Sequence, residues 1–330
     1  MAGQLWSVNT LGGFFYSQNL SDELREALIP VAKFRQFADV KDASQQGKKK
    51  GETFTWDVVG TISRANRALA ETNTVGEGNF TIYQSTLTIS ERGHSVPYSG
   101  KLEALSKFEV RQPIMRALKN DAARDLDALC HAQFNRALLR AVCSAAATTV
   151  FTTNGTATAT QTSALTTTNV KAIIDYMRER NIPAYTGNDY YSLSRPSALR
   201  TFKNDLEAIQ VYTSEGFKMI MAGEIGRYEN TRFVEQTNIP TGGAADSTTF
   251  DPYTSTGDAW NGVTDGSKDW VFFLGEETVA EGIAVPEEMR AKIPSDYGRS
   301  KGVAWYYLGG FGMVHEQASE ARILKVDSAV

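Results

Sequence analysis

The chain has 330 residues, 42% of them hydrophobic, and a formal net charge of -4, which is enough apolar material for a sizeable core in two domains or one elaborated one. Residues 101–169 carry eight basic against five acidic groups, 170–268 ten against thirteen and 269–330 six against ten, so no strongly basic tract exists to grip a nucleic acid by its phosphates. Two cysteines, Cys130 and Cys143, exclude a disulfide framework or a cysteine-rich zinc site, and no apolar run approaches the ~20 residues that span a bilayer.

The N-terminus, MAGQLWSVNTLGGFFYS, lacks the positive region and apolar core of a signal peptide, which places synthesis and folding in the cytosol. From Met1 to about Lys50 the pattern is weakly periodic, with one helical stretch around Leu20 to Ile29 stopped by Pro30; this reads as an arm. Its end, GKKKGETFTW, reads as a solvated basic turn before a strand.

Thr53 to Val59 and Phe80 to Ile89 alternate with the period of two expected of half-buried strands, with Phe54, Trp56 and Val58 on one face of the first and Phe80 and Ile82 on one face of the second. The connection from Gly60 to Asn79 is far longer than a hairpin turn. A lone hairpin is marginal in water, so this one needs a partner, and a neighbouring subunit is the natural candidate.

Phe108 to Ala147 carries the strongest helix signal, with no glycine, Pro113 near the start, and apolar side chains at Ile114, Leu118, Ala122, Leu126, Leu129, Ala137, Leu138, Ala141 and Val142. Uninterrupted, it spans roughly 60 Å, a spine longer than a compact domain needs. Both cysteines read as small buried apolar residues; thirteen positions apart on a helix they point about 140° away from each other, which rules out a bridge.

Ser144 to Val170 contains no charge. Within it Asn154-Gly155 sits between two β-prone runs, a type I′ hairpin signal, with a low-complexity linker as the alternative. An α/β region follows. Thr168 is expected to cap a helix through Val170, Ile173, Ile174 and Met177; a strand at Tyr190 to Leu193 leads to a helix opening at Pro196 with Leu199, Phe202 and Leu206 on one face. A third helix is expected over Glu215 to Ala222 and a strand over Thr231 to Glu235. A long loop, Ile239 to Asp269, then precedes a strand at Trp270 to Leu274. Gly302 to His315 and Ala321 to Asp327 are two further strands that return to the spine helix.

No chemistry emerges from these elements. His94, His131 and His315 lie in three different segments without metal-ligand spacing. Glu276-Glu277, Glu287-Glu288 and His315-Glu316 read as solvated turns or helix starts, not acid/base pairs. Gly309, Gly310 and Gly312 in LGGFG precede no helix, so they read as a bend or bulge, not a phosphate cradle. Asp251, Asp258 and Asp265 lack the spacing of a calcium loop. Hence no catalytic, cofactor-binding or metal residues and no cofactor are expected.

The order arm, long-tipped hairpin, spine helix, α/β lobe and returning strands resembles the major capsid proteins of tailed phages. The stretches ALIPVAKFRQFADVKD, KKKGETFTWDVVG, TLTISERGHSVPYSGKLEAL, GEIGRYENTRFVEQTNI and GFGMVHEQASEARILKVDSA resemble, taken together, the capsid family typified by the podophage N-four. The resemblance implies an α+β, Hong Kong 97-like fold. It divides the chain into an N-arm at 1–50, an extended loop at 51–100, a peripheral domain at 101–165 and 283–330 with its spine helix at 108–147, and an axial domain at 166–282. It implies a non-enzymatic shell subunit that self-assembles as pentamers and hexamers, located in the virion capsid and made in the host bacterial cytoplasm. A portal, possible cement proteins and non-specifically contacted packaged double-stranded DNA are implied as partners, and no membrane. The chain departs from the fold's founding member in having no charged coiled-coil region before the arm, so a separate scaffold protein is expected. The loop tip has no lysine, so shells without covalent cross-links are expected. Another phage structural protein of tail or decoration type, or a soluble α/β enzyme with its site in the Thr168 to Trp270 lobe, are the alternatives.

Overall fold

A computed structural model describes residues 33–42, 53–60, 62, 71, 79–106, 109–210, 227–237, 268–294 and 296–329. The expected helices at Leu20 to Ile29 and Glu215 to Ala222, Lys48 to Lys50, most of the hairpin tip and nearly all of the Ile239 to Asp269 loop lie outside these residues.

In chain order, a 3₁₀ turn at Phe34–Phe37 leads into β1 (Ala38–Asp42). Next come β2 (Thr53–Val59), β3 (Ile82–Thr88), β4 (Ser90–Ser99), α1 (Gly100–Leu105) and α2 (Arg111–Asn135). Then follow β5 (Leu139–Ala145), β6 (Thr148–Thr152), α3 (Thr167–Glu179), β7 (Tyr190–Ser194) and α4 (Arg200–Gln210). The last are β8 (Arg227–Tyr228), β9 (Thr231–Glu235), β10 (Lys268–Leu274), β11 (Val279–Ala291), β12 (Ser300–Met313) and β13 (Ile323–Ala329). They form a four-stranded sheet ordered β1-β11-β12-β4, a seven-stranded sheet ordered β6-β5-β13-β10-β7-β9-β8, and the isolated pair β2-β3.

The seven-stranded sheet is covered on both faces. Alternate residues of its central strands divide between two cores: Ala141, Val271, Phe273, Leu324 and Val326 pack with α3 and α4, whereas Val142, Phe272, Leu274 and Ile323 pack with α2 and the 3₁₀ turn. Period-two alternation produces this division directly. The N-terminal half of α2 runs on over the four-stranded sheet, where the Trp305 indole donates to Asp121 at 2.9 Å. One helix therefore spans both sheets.

The spine helix is shorter than 108–147. It ends at Asn135, and Leu139–Ala145 is instead a strand, fully buried over its first five residues and paired in parallel with Leu324–Asp327. A short apolar run reads equally as buried strand or helix, and here the pairing demand of β13 decides. Cys130 and Cys143 thus sit on different elements, both free and buried. The hairpin after it turns at Ala146 and Ala147, not at Asn154-Gly155; Gly155, at φ 79°, instead donates its N–H to Leu138 O at 2.9 Å. The cap of α3 is Thr166, whose hydroxyl accepts from Asn169 N, not Thr168. α4 begins at Arg200, after a turn through Pro196, yet Leu199, Phe202 and Leu206 are buried as expected.

Strands β1, β4, β8 and β11 escaped the sequence pattern. β4 is polar and contains Gly93 and Pro97, which an edge strand tolerates. It is the edge strand of the four-stranded sheet, paired with β12 over Ser90 to Ser99. β11 contains Gly282 and Pro286 and shifts register between Ile283 and Val285 and again before Glu288; the proline is accommodated at this irregularity.

Candidate assembly surfaces

The root of the arm is fixed by a 3₁₀ turn that sends alternate side chains to different neighbours. Phe34, fully buried, packs on His131, Phe134 and edge-on to Phe272, while Phe37 meets Tyr185 and Tyr191. Arg35 reaches the four-stranded sheet. Its Nε donates to Glu281 at 3.0 and 3.1 Å, its terminal nitrogens donate to Glu287 at 2.8 and 3.0 Å, and its backbone N–H donates to Asp127 at 3.1 Å. Glu281 is fully buried and also accepts from the Tyr307 hydroxyl at 2.9 Å. Burial works against the Arg35 charge, but the bonds to Glu287 and Glu281 outweigh it and hold the guanidinium above its usual range. The same bond holds the Glu287 carboxyl below its usual range.

Glu287 and Glu288 therefore do not sit in a solvated turn or helix start. They lie in a bulged strand, with Glu287 in the Arg35 clamp and Glu288 paired to Arg290 at 2.6 Å. No sequence signal links Arg35 to carboxylates some 250 positions away.

The β2-β3 hairpin rests its root on β12. Leu87 and Thr88 lie so close to Gly282, Gly310 and Gly312 that a Cβ on Gly312 would stand 3.0 Å from Leu87 Cβ, and one on Gly310 would fall inside contact distance of the Thr88 carbonyl. Gly310 and Gly312 thus make room for another backbone, Gly309 makes room for the Tyr307 ring, and β12 runs through all three as a continuous strand. The Ser85 hydroxyl donates to Val314 O at 2.7 Å and adds a second tie. Phe54, Trp56 and Val58 share the half-buried face of β2 as expected, but Phe80 and Ile82 do not mirror them. In β3 Tyr83, Ser85 and Leu87 face inward, and Phe80 and Ile82 join Val59 and Ile62 as exposed apolar residues at the free end of the hairpin.

A second exposed apolar group, Met289, Ile293 and Tyr297, sits at the end of the β11-β12 hairpin, where Asp296, Tyr297 and Gly298 have φ of 56°, 50° and 86°. Grouped exposed apolar residues of this kind mark protein–protein contacts.

The histidines stay apart. His94 pairs with Asp121 at 2.9 Å on the surface, His131 lies within the core between Phe34 and Phe272, and His315 is buried 3.8 Å from Glu277. Among the described residues no group of three potential ligands could hold a metal ion, and no helix is long and apolar enough to cross a membrane. Glu276 and Glu277 lie in the turn before β11, where Glu277 pairs with Arg322 at 3.1 Å; Glu316 pairs with Arg136 at 3.7 Å. The three loop aspartates lie outside the described residues.

Burial lowers His131 to about 3, helped by the Lys325 charge, and lowers His315 to about 4, helped by Arg322 and opposed by Glu277. Both fold as neutral rings. Above the unfolded value of about 6.5 neither opposes folding, and as the pH falls from there toward 4 the unfolded state gains protons the folded state refuses. Subunit stability is therefore expected to fall by up to ~1.4 kcal/mol per pH unit per histidine. Urea midpoints at pH 7.5, 6 and 5 test this, with His315→Gln expected to flatten the slope; equal midpoints across the series contradict it.

A subunit whose one long helix carries two sheets, with a hairpin projecting beyond its own core and apolar groups left at its extremities, is built to join other subunits and encloses no reaction site that the described residues reveal. A family model described as phage capsid protein matches residues 83–322. The chain belongs to the phage capsid protein family, and its work is to form the shell of a phage particle. Solved structures agree on the fold. The capsid of the cyanophage P-SCSP1u is similar with a TM-score of 0.67 at 13% identity, covering 95% of this chain and 93% of that one. The head of the Helicobacter pylori bacteriophage KHP40 gives 0.68 at 11% identity and 95% of both chains. The capsid of the Ralstonia phage GP4 gives 0.61 at 12% identity and 100% and 98%. The fold is thus α+β and Hong Kong 97-like, as the resemblance implied. No curated protein matches the chain.

Proposed function

We propose that this capsid protein works without catalysis, assembling as pentamers and hexamers into a closed icosahedral shell in which each β2-β3 hairpin lies across a neighbouring subunit. The observation that carries the reading is the exposed end of that hairpin, where Val59, Ile62, Phe80 and Ile82 find no cover among the described residues. A patch that meets a different patch on the next copy generates rings and closed surfaces. The N-arm at 1–50 and the extended loop within 51–100 serve as the reaching elements. The four-stranded sheet with α2 forms the peripheral domain, and the seven-stranded sheet with α3 and α4 forms the axial domain. On this division 139–152 and 323–329 go with the axial sheet, because their strands pair there.

A separate scaffold, a portal and possible cement proteins complete the particle. The net charge of -4 suits a container that touches packaged double-stranded DNA without gripping it. Deleting Ser63 to Gly78 tests the hairpin's role. The subunit is expected to keep its circular dichroism and urea midpoint, since the β2-β3 pairs and the glycine seat remain, while electron microscopy finds no shells. Normal shells from the deletion contradict the assignment.

A further inference from the structure

The N-terminal half of α2 and the outer half of β11 leave a groove between them of about 280 Å³. Ala122, Ala123, Leu126, Met289 and Trp305 form its apolar lining, with Lys119 on the α2 side and the Arg35, Glu287 and Glu288 cluster on the β11 side. β1 pairs with Val279 to Ile283 only, so no described strand covers the β11 wall beyond that point. Lys119 makes no ion pair among the described residues.

The chain leaves the described structure beside this groove. Phe34 packs on His131 and Phe134, and Arg35 N–H on Asp127, so the exit lies about 12 Å along α2 from Leu126 at ~1.5 Å per residue. The four residues Pro30 to Lys33 can span about 13 Å. Immediately before them, Leu20, Leu24, Ala27 and Leu28 fall at i, i+4, i+7 and i+8, one apolar face of a helix, while Asp22, Glu23 and Glu26 outweigh Arg25 on the remainder. The segment is thus apolar where the groove is apolar, and its acidic side suits the α2 wall, where Lys119 lies, and not the β11 wall, where Glu287 and Glu288 lie. A tether of four residues also gives it an effective concentration in the millimolar range, which a separate copy does not match in dilute solution.

We propose that Leu20–Ile29 docks as an amphipathic helix in the α2-β11 groove of its own chain, with Leu24 and Leu28 against Ala123 and Met289, the exposed apolar residues of its lining. The docked helix fills the groove of the unassembled subunit beside the part of β11 that β1 does not reach.

Cysteines at Leu24 and Ala123 in the full-length chain test this, since Cys130 and Cys143 are buried. Mild oxidation of dilute subunit is expected to give a disulfide within one chain, seen as a monomer on a non-reducing gel and as a joined peptide pair by mass spectrometry. A disulfide between chains assigns the groove to a second copy and overturns the proposal. Absence of any disulfide also overturns it. In the single variant Ala123→Cys, adding Leu24→Asp is expected to raise the rate of thiol labelling at least about tenfold, the scale of one lost apolar anchor; an unchanged rate refutes docking even if the double-cysteine chain folds poorly.

Discussion

Replacing Arg35 by alanine is expected to lower subunit stability by about 3–5 kcal/mol, the scale seen when one partner of a buried ion pair is removed. The loss comes less from the missing bonds than from what they leave behind. Glu281 is fully buried, and without Arg35 its carboxylate retains only the Tyr307 hydroxyl among the partners described above. Against a total of about 5–15 kcal/mol for an ordinary domain, this alone brings the subunit near its unfolding threshold. Chemical denaturation of unassembled subunit measures it. Arg35→Lys keeps the charge but not the fork that serves both Glu281 and Glu287, and is expected to fall between. Arg35→Met combined with Glu281→Gln removes charge on both sides and should recover much of the loss; a double variant as unstable as Arg35→Ala contradicts this account.

Placing a methyl group at Gly310 is expected to abolish shells at a smaller cost to the subunit. The added Cβ meets backbone, the Thr88 carbonyl, and not the end of a flexible side chain, so β3 must lift from β12. Overpacking of this kind costs about 1–3 kcal/mol, and the lifted root re-aims every residue of the hairpin beyond it. Gly187→Ala is the control: nothing lies within 4 Å of its position, and the substitution meets only a φ of 60°. The expected result is shells from Gly187→Ala and none from Gly310→Ala, with both subunits folded by circular dichroism. Shells of normal size from Gly310→Ala contradict the seat.

Much of the fold was legible where periodicity is strong and local. The apolar face of β2, the stripe of α3 and the helix register from Leu118 to Leu126 follow from residue spacing alone. What failed did so where tertiary pairing overrides local preference. Leu139 to Val142 continue a helical pattern, yet they lie between β13 and β6, and that pairing takes them. β4 and β11 carry proline and glycine that argue against strands, and pairing with their shared neighbour β12, joined for β11 by β1, makes them strands. The assembly surfaces were half visible: a hairpin without a partner could be inferred, whereas the Arg35 clamp joins residues whose nearness no local pattern encodes. Gly310 and Gly312 of LGGFG were seen but misread, because their reason lies in β3, more than 200 positions earlier.

The order of the seven-stranded sheet also bears on how the subunit comes into being. Its two halves, β6-β5 on one side and β10-β7-β9-β8 on the other, are hydrogen-bonded to each other only through β13, the last of these strands along the chain. β5 and β13 are separated by about 180 residues, so the sheet closes only after a large loop has been gathered, a topology associated with slow folding. Until then β5 and β10 each present an open edge, the feature that invites pairing with the wrong chain. Where many subunits are made at once, the supply of competent building blocks is thus governed by how quickly residues 323–329 find their slot, and a host chaperone that shields those two edges would act at the step that limits yield.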